Sequence, residues 1–143
     1  LLQGNKSITY ESKSTELLAT EHPVMTFTVD MKITFDDGKV YSRTGTTVKE
    51  TIEGNETPLN WEDNVFLVTG NSATSLANGD TVTTVITTPL RYITSCKLPF
   101  PVSGIVSITK NTSVGTLDFG DGKCDNLATL TIDGVTKDIN LEK

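Results

Sequence analysis

From Met25 to Phe35 the chain alternates without interruption. Met25, Phe27, Val29, Met31, Ile33 and Phe35 occupy one parity, and Thr26, Thr28, Asp30, Lys32 and Thr34 the other. A period of two predicts a strand with one buried and one wet face. Asp36-Asp37-Gly38-Lys39 follows, and Asp37-Gly38 is the signature of a two-residue type I′ turn. That turn sets Phe35 opposite Val40, Val29 opposite Thr46 and Phe27 opposite Val48. The apolar row then shares its face with Val40, Ser42, Thr44, Thr46 and Val48. Tyr41, Arg43, Gly45, Thr47 and Lys49 form the outer row.

The same reasoning carries down the chain. Residues 53–64 make a polar connection, and Val65 to Thr69 begins a new strand. Asn78-Gly79 is a second type I′ signal, after which Thr81 to Thr88 returns antiparallel. Leu90 to Cys96 continues beyond Pro89, which marks a bend or an edge because proline donates no ladder bond. Ile105 to Thr109 and Thr116 to Phe119 are further strands around a turn at Lys110 to Gly115. Ala128 to Ile132, the Asp133-Gly134 turn and Val135 to Leu141 make the last hairpin, with Ile132 against Val135 and Ala128 against Ile139. Residues 11–19 are given at most one helical turn. The expected fold is all-β, an antiparallel hairpin meander forming a β-sandwich or an extended sheet.

Composition strengthens this reading. Threonine occurs 25 times, valine 12 and isoleucine 9, against only 4 alanines. β-Branched side chains suit a pleated surface, whereas alanine is the strongest helix former. The chain has 143 residues, a length for one domain spanning 1–143. Its apolar share of 36% predicts a thin core that needs help from a disulfide or from partner surfaces. Eighteen acidic against 12 basic residues give a net charge of −6, which argues against nucleic acid or an anionic membrane surface as partner. No apolar run reaches the ~18 residues of a membrane-spanning helix. Residue 1 is Leu and no leader follows it, so any signal peptide is expected to have been removed or to lie outside this sequence.

Three stretches together resemble a known family. They are Glu53-Gly54-Asn55-Glu56-Thr57-Pro58 leading into Trp61 to Gly70, then Ile86 to Arg91 running through Ser95-Cys96-Lys97 to Gly104, and Thr116 to Asn126 followed by Ala128 to Ile132. In this order they resemble the C-terminal region of uncharacterised Thr-rich surface lipoproteins of Bacteroidetes, of flavobacterial type, over roughly residues 24–141. Members of that family carry further Thr-rich strands upstream and a lipid-bearing N-terminal Cys. The resemblance therefore implies the C-terminal part of a longer exported chain, on the outer-membrane surface of a Gram-negative bacterium, and no assigned activity. Asp118-Phe119-Gly120-Asp121-Gly122 also matches the short signature of polycystic-kidney-disease-type repeats. Their His-containing strand and Pro-Gly turn have no counterpart here.

Few residues offer chemistry. Cys96 and Cys124, the only cysteines, stand 28 positions apart. Two thiols with one distant histidine do not make a zinc site. In an exported chain they read as a disulfide joining the 90–96 strand to the turn after Asp121, contributing roughly 3–4 kcal/mol on the chain-entropy argument. The alternative is a pair of separate buried thiols in a cytosolic protein. Asp118, Asp121, Asp125 and Asn126 gather oxygens that suit calcium, or else belong to an Asp-Gly turn whose carboxylates accept backbone N–H bonds. Trp61, with Tyr41 and Tyr92, offers a sugar-stacking platform, against the alternative that Trp61 closes one end of a core.

Asp80-Thr81-Val82 fits the O-glycosylation pattern of exported Bacteroidetes proteins, which makes Thr81 a candidate acceptor if the resemblance holds. The Asn5, Asn55 and Asn111 triplets are read as chance occurrences. His22 precedes Pro23 in a polar stretch, has no nucleophile motif beside it, and is expected in an exposed loop. No spacing marks a carboxylate pair for glycoside hydrolysis. The expectation is a non-enzymatic cell-surface protein acting in structure, adhesion or protein interaction. Its partners would be other surface proteins or its own copies, met through strand edges, with the membrane reached only through an upstream lipid anchor. The alternative is a calcium- or glycan-binding accessory module.

Overall fold

A computed structural model describes residues 1–57 and 59–141, and the backbone but not the side chain of Trp61. Nine strands follow one another along the chain: β1 (Leu2–Lys13), β2 (His22–Thr34), β3 (Val40–Glu53), β4 (Val65–Ser75), β5 (Thr81–Ile93), β6 (Ser103–Lys110), β7 (Ser113–Asp121), β8 (Leu127–Ile132) and β9 (Val135–Asn140). They form one antiparallel sheet whose spatial order is the order of the sequence. The all-β antiparallel meander expected from the alternation and the threonine content is therefore present. Short 3₁₀ turns at Trp61–Asp63 and Thr94–Cys96 interrupt the connections.

The first hairpin differs from its sequence reading by one residue. Phe35 N–H donates to the Lys39 carbonyl at 2.9 Å, and Gly38 N–H donates back to the Phe35 carbonyl at 3.0 Å. The loop thus holds Asp36, Asp37 and Gly38, with Gly38 at φ +85°, the left-handed residue that closes a three-residue hairpin. Thr34, not Phe35, lies opposite Val40, and Phe27 lies opposite Thr47. A one-residue slip turns every side chain of the second strand to the other face. The row of Met25, Phe27, Val29, Met31 and Ile33 therefore shares its face with Lys49, Thr47, Gly45, Arg43 and Tyr41.

Asn78-Gly79 behaves in the same way, inside a three-residue loop closed by Leu76 and Asp80. Asp133-Gly134 is a true two-residue turn, with both φ angles positive (52° and 80°) and Ile132 opposite Val135 as expected. Pro89 lies within a continuous β5, bracketed by register shifts towards both β4 and β6. Those bulges let a proline sit in an inner strand. Residues 11–19 form no helical turn. β1 continues to Lys13, and Thr15 then closes a tight turn by accepting the Leu17 and Leu18 N–H groups at its hydroxyl.

The core gathers at one end of the sheet. Val24 begins β2, Val65 begins β4, Leu90 lies near the end of β5, Val102 precedes β6 and Ala128 lies near the start of β8. Val106, deeper in β6, completes the buried apolar set among the described residues. The opposite end, where the 35–39, 76–80, 110–113 and 133–134 turns lie, contributes none of them. Core side chains of this size give roughly 1.5–3 kcal/mol each, a small total for so long a chain.

Candidate functional site

Two constructions stand at the packed end. The first is the disulfide: Cys96 and Cys124 are bonded, with Cα atoms 5.3 Å apart. Cys96 belongs to the Thr94–Cys96 3₁₀ turn rather than to a strand running to residue 96. The bond fastens that turn to the β7–β8 connection. The same turn is held by a Thr94 N–H to Asn64 carbonyl bond of 3.0 Å, which joins it to the β3–β4 connection.

The second construction overturns the reading of His22. This side chain opens β2 and is 1% exposed. Its Nδ1 lies 2.7 Å from the Thr20 carbonyl and its Nε2 lies 2.7 Å from Glu50 Oε1. Thr15 donates its hydroxyl to the same Glu50 oxygen at 2.5 Å. Both ring nitrogens thus face oxygens, an arrangement that favours the doubly donating imidazolium over the neutral ring. Burial by itself pulls the imidazolium pKa down. The Thr20 carbonyl and Glu50 together outweigh it, leaving His22 above its ordinary value. Thr15 thus donates to Glu50 beside His22, and the three side chains clasp the 14–21 connection to β2 and β3. Alternation missed it because Glu50 lies 28 residues away and only the β2–β3 register brings the pair together.

The acidic turn is occupied by local bonds. Asp118 Oδ1 accepts the Gly120 N–H at 2.9 Å, and Asp125 Oδ1 accepts the Leu127 N–H at 3.1 Å. Asp121 lies 3.7 Å from Lys123, and Asn126 donates to Asn140 at 3.0 Å. Among the described residues no three potential metal ligands converge. Thr81 is exposed at the start of β5, where its N–H donates to Asn111 Oδ1 at 3.2 Å. Asp80 accepts from Asn78 and Asn111, tying two neighbouring hairpin turns together.

The side chain of Trp61 lies outside the described residues, so the core or sugar role suggested for it has no geometry here. Its two supposed companions are not brought together. Tyr92 lies opposite Phe66, itself opposite Thr51, whereas Tyr41 sits ten residues back along β3 opposite Ile33. Ten residues of strand span roughly 33 Å.

One contact escaped the sequence entirely. Lys49 Nζ sits 4.1 Å above the Phe66 ring, a cation–π pair between β3 and β4. The misplaced hairpin register had assigned Lys49 to the outer row. No protein-family model, curated protein or solved structure matches this chain.

Proposed function

We propose that this chain is a non-enzymatic structural and protein-interaction subunit of the bacterial cell surface, joined to its neighbours through strand edges. The observation that carries the reading is β1, whose twelve residues are exposed throughout and pair only with β2 among the described strands. Leu1 and Thr34 exchange both backbone bonds, at 2.8 and 2.9 Å. In an antiparallel ladder such pairs recur at every second residue. The odd-numbered residues of β1 therefore bond to β2, and Leu2, Gly4, Lys6, Ile8, Tyr10 and Ser12 turn their N–H and C=O groups outward. A strand from another surface protein laid on that edge extends the sheet. The disulfide and the threonine-rich strands support service outside the cytoplasm.

Replacing Ile8 by proline removes one outward donor while sparing every β1–β2 bond. The expected result is concentration-dependent assembly of the native protein in light scattering, insensitive to calcium and to sugars, and lost in Ile8→Pro with little change in melting temperature. Native protein that scatters as one species at all concentrations, indistinguishable from Ile8→Pro, would count against the reading.

A further inference from the structure

Beyond strand-edge association, the packed end carries a groove of unusual charge. Met25, Lys49 and Val68 stand side by side across β2, β3 and β4, and in the next row Thr51, Phe66 and Tyr92 do so across β3, β4 and β5. The Thr94–Cys96 turn and the residues after it rise beside this band. Lys97 takes a left-handed conformation at φ +56° and closes the turn by donating its N–H to the Thr94 carbonyl at 3.0 Å. Leu98 and Pro99 complete the wall. The groove is open-sided and holds about 600 Å³, within the ~300–1,000 Å³ of small-molecule sites.

Its lining contains two lysines and no acid, in a chain where acids outnumber bases 18 to 12. Lys13, Lys39 and Lys123 each lie beside a carboxylate. Lys49 rests on Phe66 instead, and like Lys6, Lys32, Lys110 and Lys137 neither it nor Lys97 has an ion-pair partner among the described residues. The remaining lining is aromatic or aliphatic apart from Thr94 and the Tyr92 hydroxyl. Burial raises the Tyr92 pKa, so that hydroxyl stays a donor.

The floor also discriminates between occupants. β3 and β4 are inner strands paired on both sides, so their backbone groups are committed to the ladder. A peptide laid on this face would leave its own amides without partners, at a cost of about 1–3 kcal/mol each. An alkyl chain incurs no such cost. We propose that the groove binds a long-chain carboxylate, its head at the ammonium groups of Lys49 and Lys97 and its chain along Phe66, Val68, Ile93 and Leu98.

The test is calorimetric titration of the disulfide-intact protein with dodecanoate below its micellar concentration, with dodecyltrimethylammonium as the probe of equal chain and opposite charge. Dodecanoate should bind saturably at one site, at least tenfold more tightly than the cation. The double variant Lys49→Met, Lys97→Asn keeps an apolar stem over Phe66 and a residue tolerant of the left-handed conformation, so its circular dichroism and melting should match the parent. It should bind dodecanoate at least tenfold more weakly. Reduction of Cys96–Cys124, which frees the wall carrying Lys97, should also weaken binding. Equal affinity for the two amphiphiles, no saturable heat, or an unchanged affinity in the folded double variant would each overturn the proposal. None of these outcomes bears on β1 association, which Ile8→Pro tests separately.

Discussion

His22 and Glu50 show how one buried pair ties stability to pH. The folded protein holds the imidazolium above its free value of 6.5. Its stabilisation is therefore complete below that value and lost as pH rises through the raised folded value. Lys13, across from His22 on β1, is engaged with Glu11 at 2.9 Å and half exposed. The melting temperature is expected to fall as pH rises above His22's ordinary value of 6.5, and His22→Gln should flatten that slope. A parent protein with no slope would remove the clasp. Gly70 is a second position where a single residue decides. At φ +139°, a Cβ there would lie 2.1 Å from the Thr46 carbonyl oxygen. Gly70→Ala should cost about 3 kcal/mol in chemical denaturation. Gly122→Ala, at φ +104° with open space around it, should cost nearer 1 kcal/mol.

At the scale of elements, the loops choose which side chains share a face. Strand existence was legible from β2 onward, since alternation over Met25 to Ile33 and the β-branched runs of β4 to β9 need no partner to be recognised, whereas β1, polar and exposed along its whole length, was not recognised as a strand. Asp133-Gly134 was legible too, because both central residues take positive φ and nothing extends the loop. Asp36-Asp37-Gly38 and Ala77-Asn78-Gly79 were not, since the same dipeptide closes loops of two or three residues. Gly38→Val places a β-branched residue at φ +85° and should lower stability by about 1–2 kcal/mol, measured by denaturant unfolding. Lys49 and Phe66 went unrecognised as a pair because their contact belongs to the β3–β4 register, which no turn signal in the 54–64 connection specifies.

Across the whole molecule, stability is concentrated where the chain is least regular. The buried apolar residues other than Val106, the His22–Glu50 clasp and the disulfide all sit at the end formed by residues 14–21, 59–64, 94–102 and 121–127. Reduction should remove roughly 3–4 kcal/mol and lower the melting temperature by about 10 °C. Amides of residues 94–102 should be the first to lose protection from hydrogen exchange. Equal melting with and without reductant would show that the bond closes a loop already ordered without it.

Local chemistry alone determined the β character of this chain and the succession of its hairpins from β2 onward, and it left Cys96–Cys124 as the one pairing two cysteines allow. Alternation, turn residues and a count of thiols act over a few residues or leave only one choice. Tertiary structure decided which face each strand of the first hairpin presents, the burial of His22 against Glu50, the separation of Tyr41 from Tyr92, and the acid-free groove at Lys49 and Lys97. Each of these depends on backbone register or on contacts between residues distant in sequence, and a shift of one position in a two-residue repeat exchanges inside for outside.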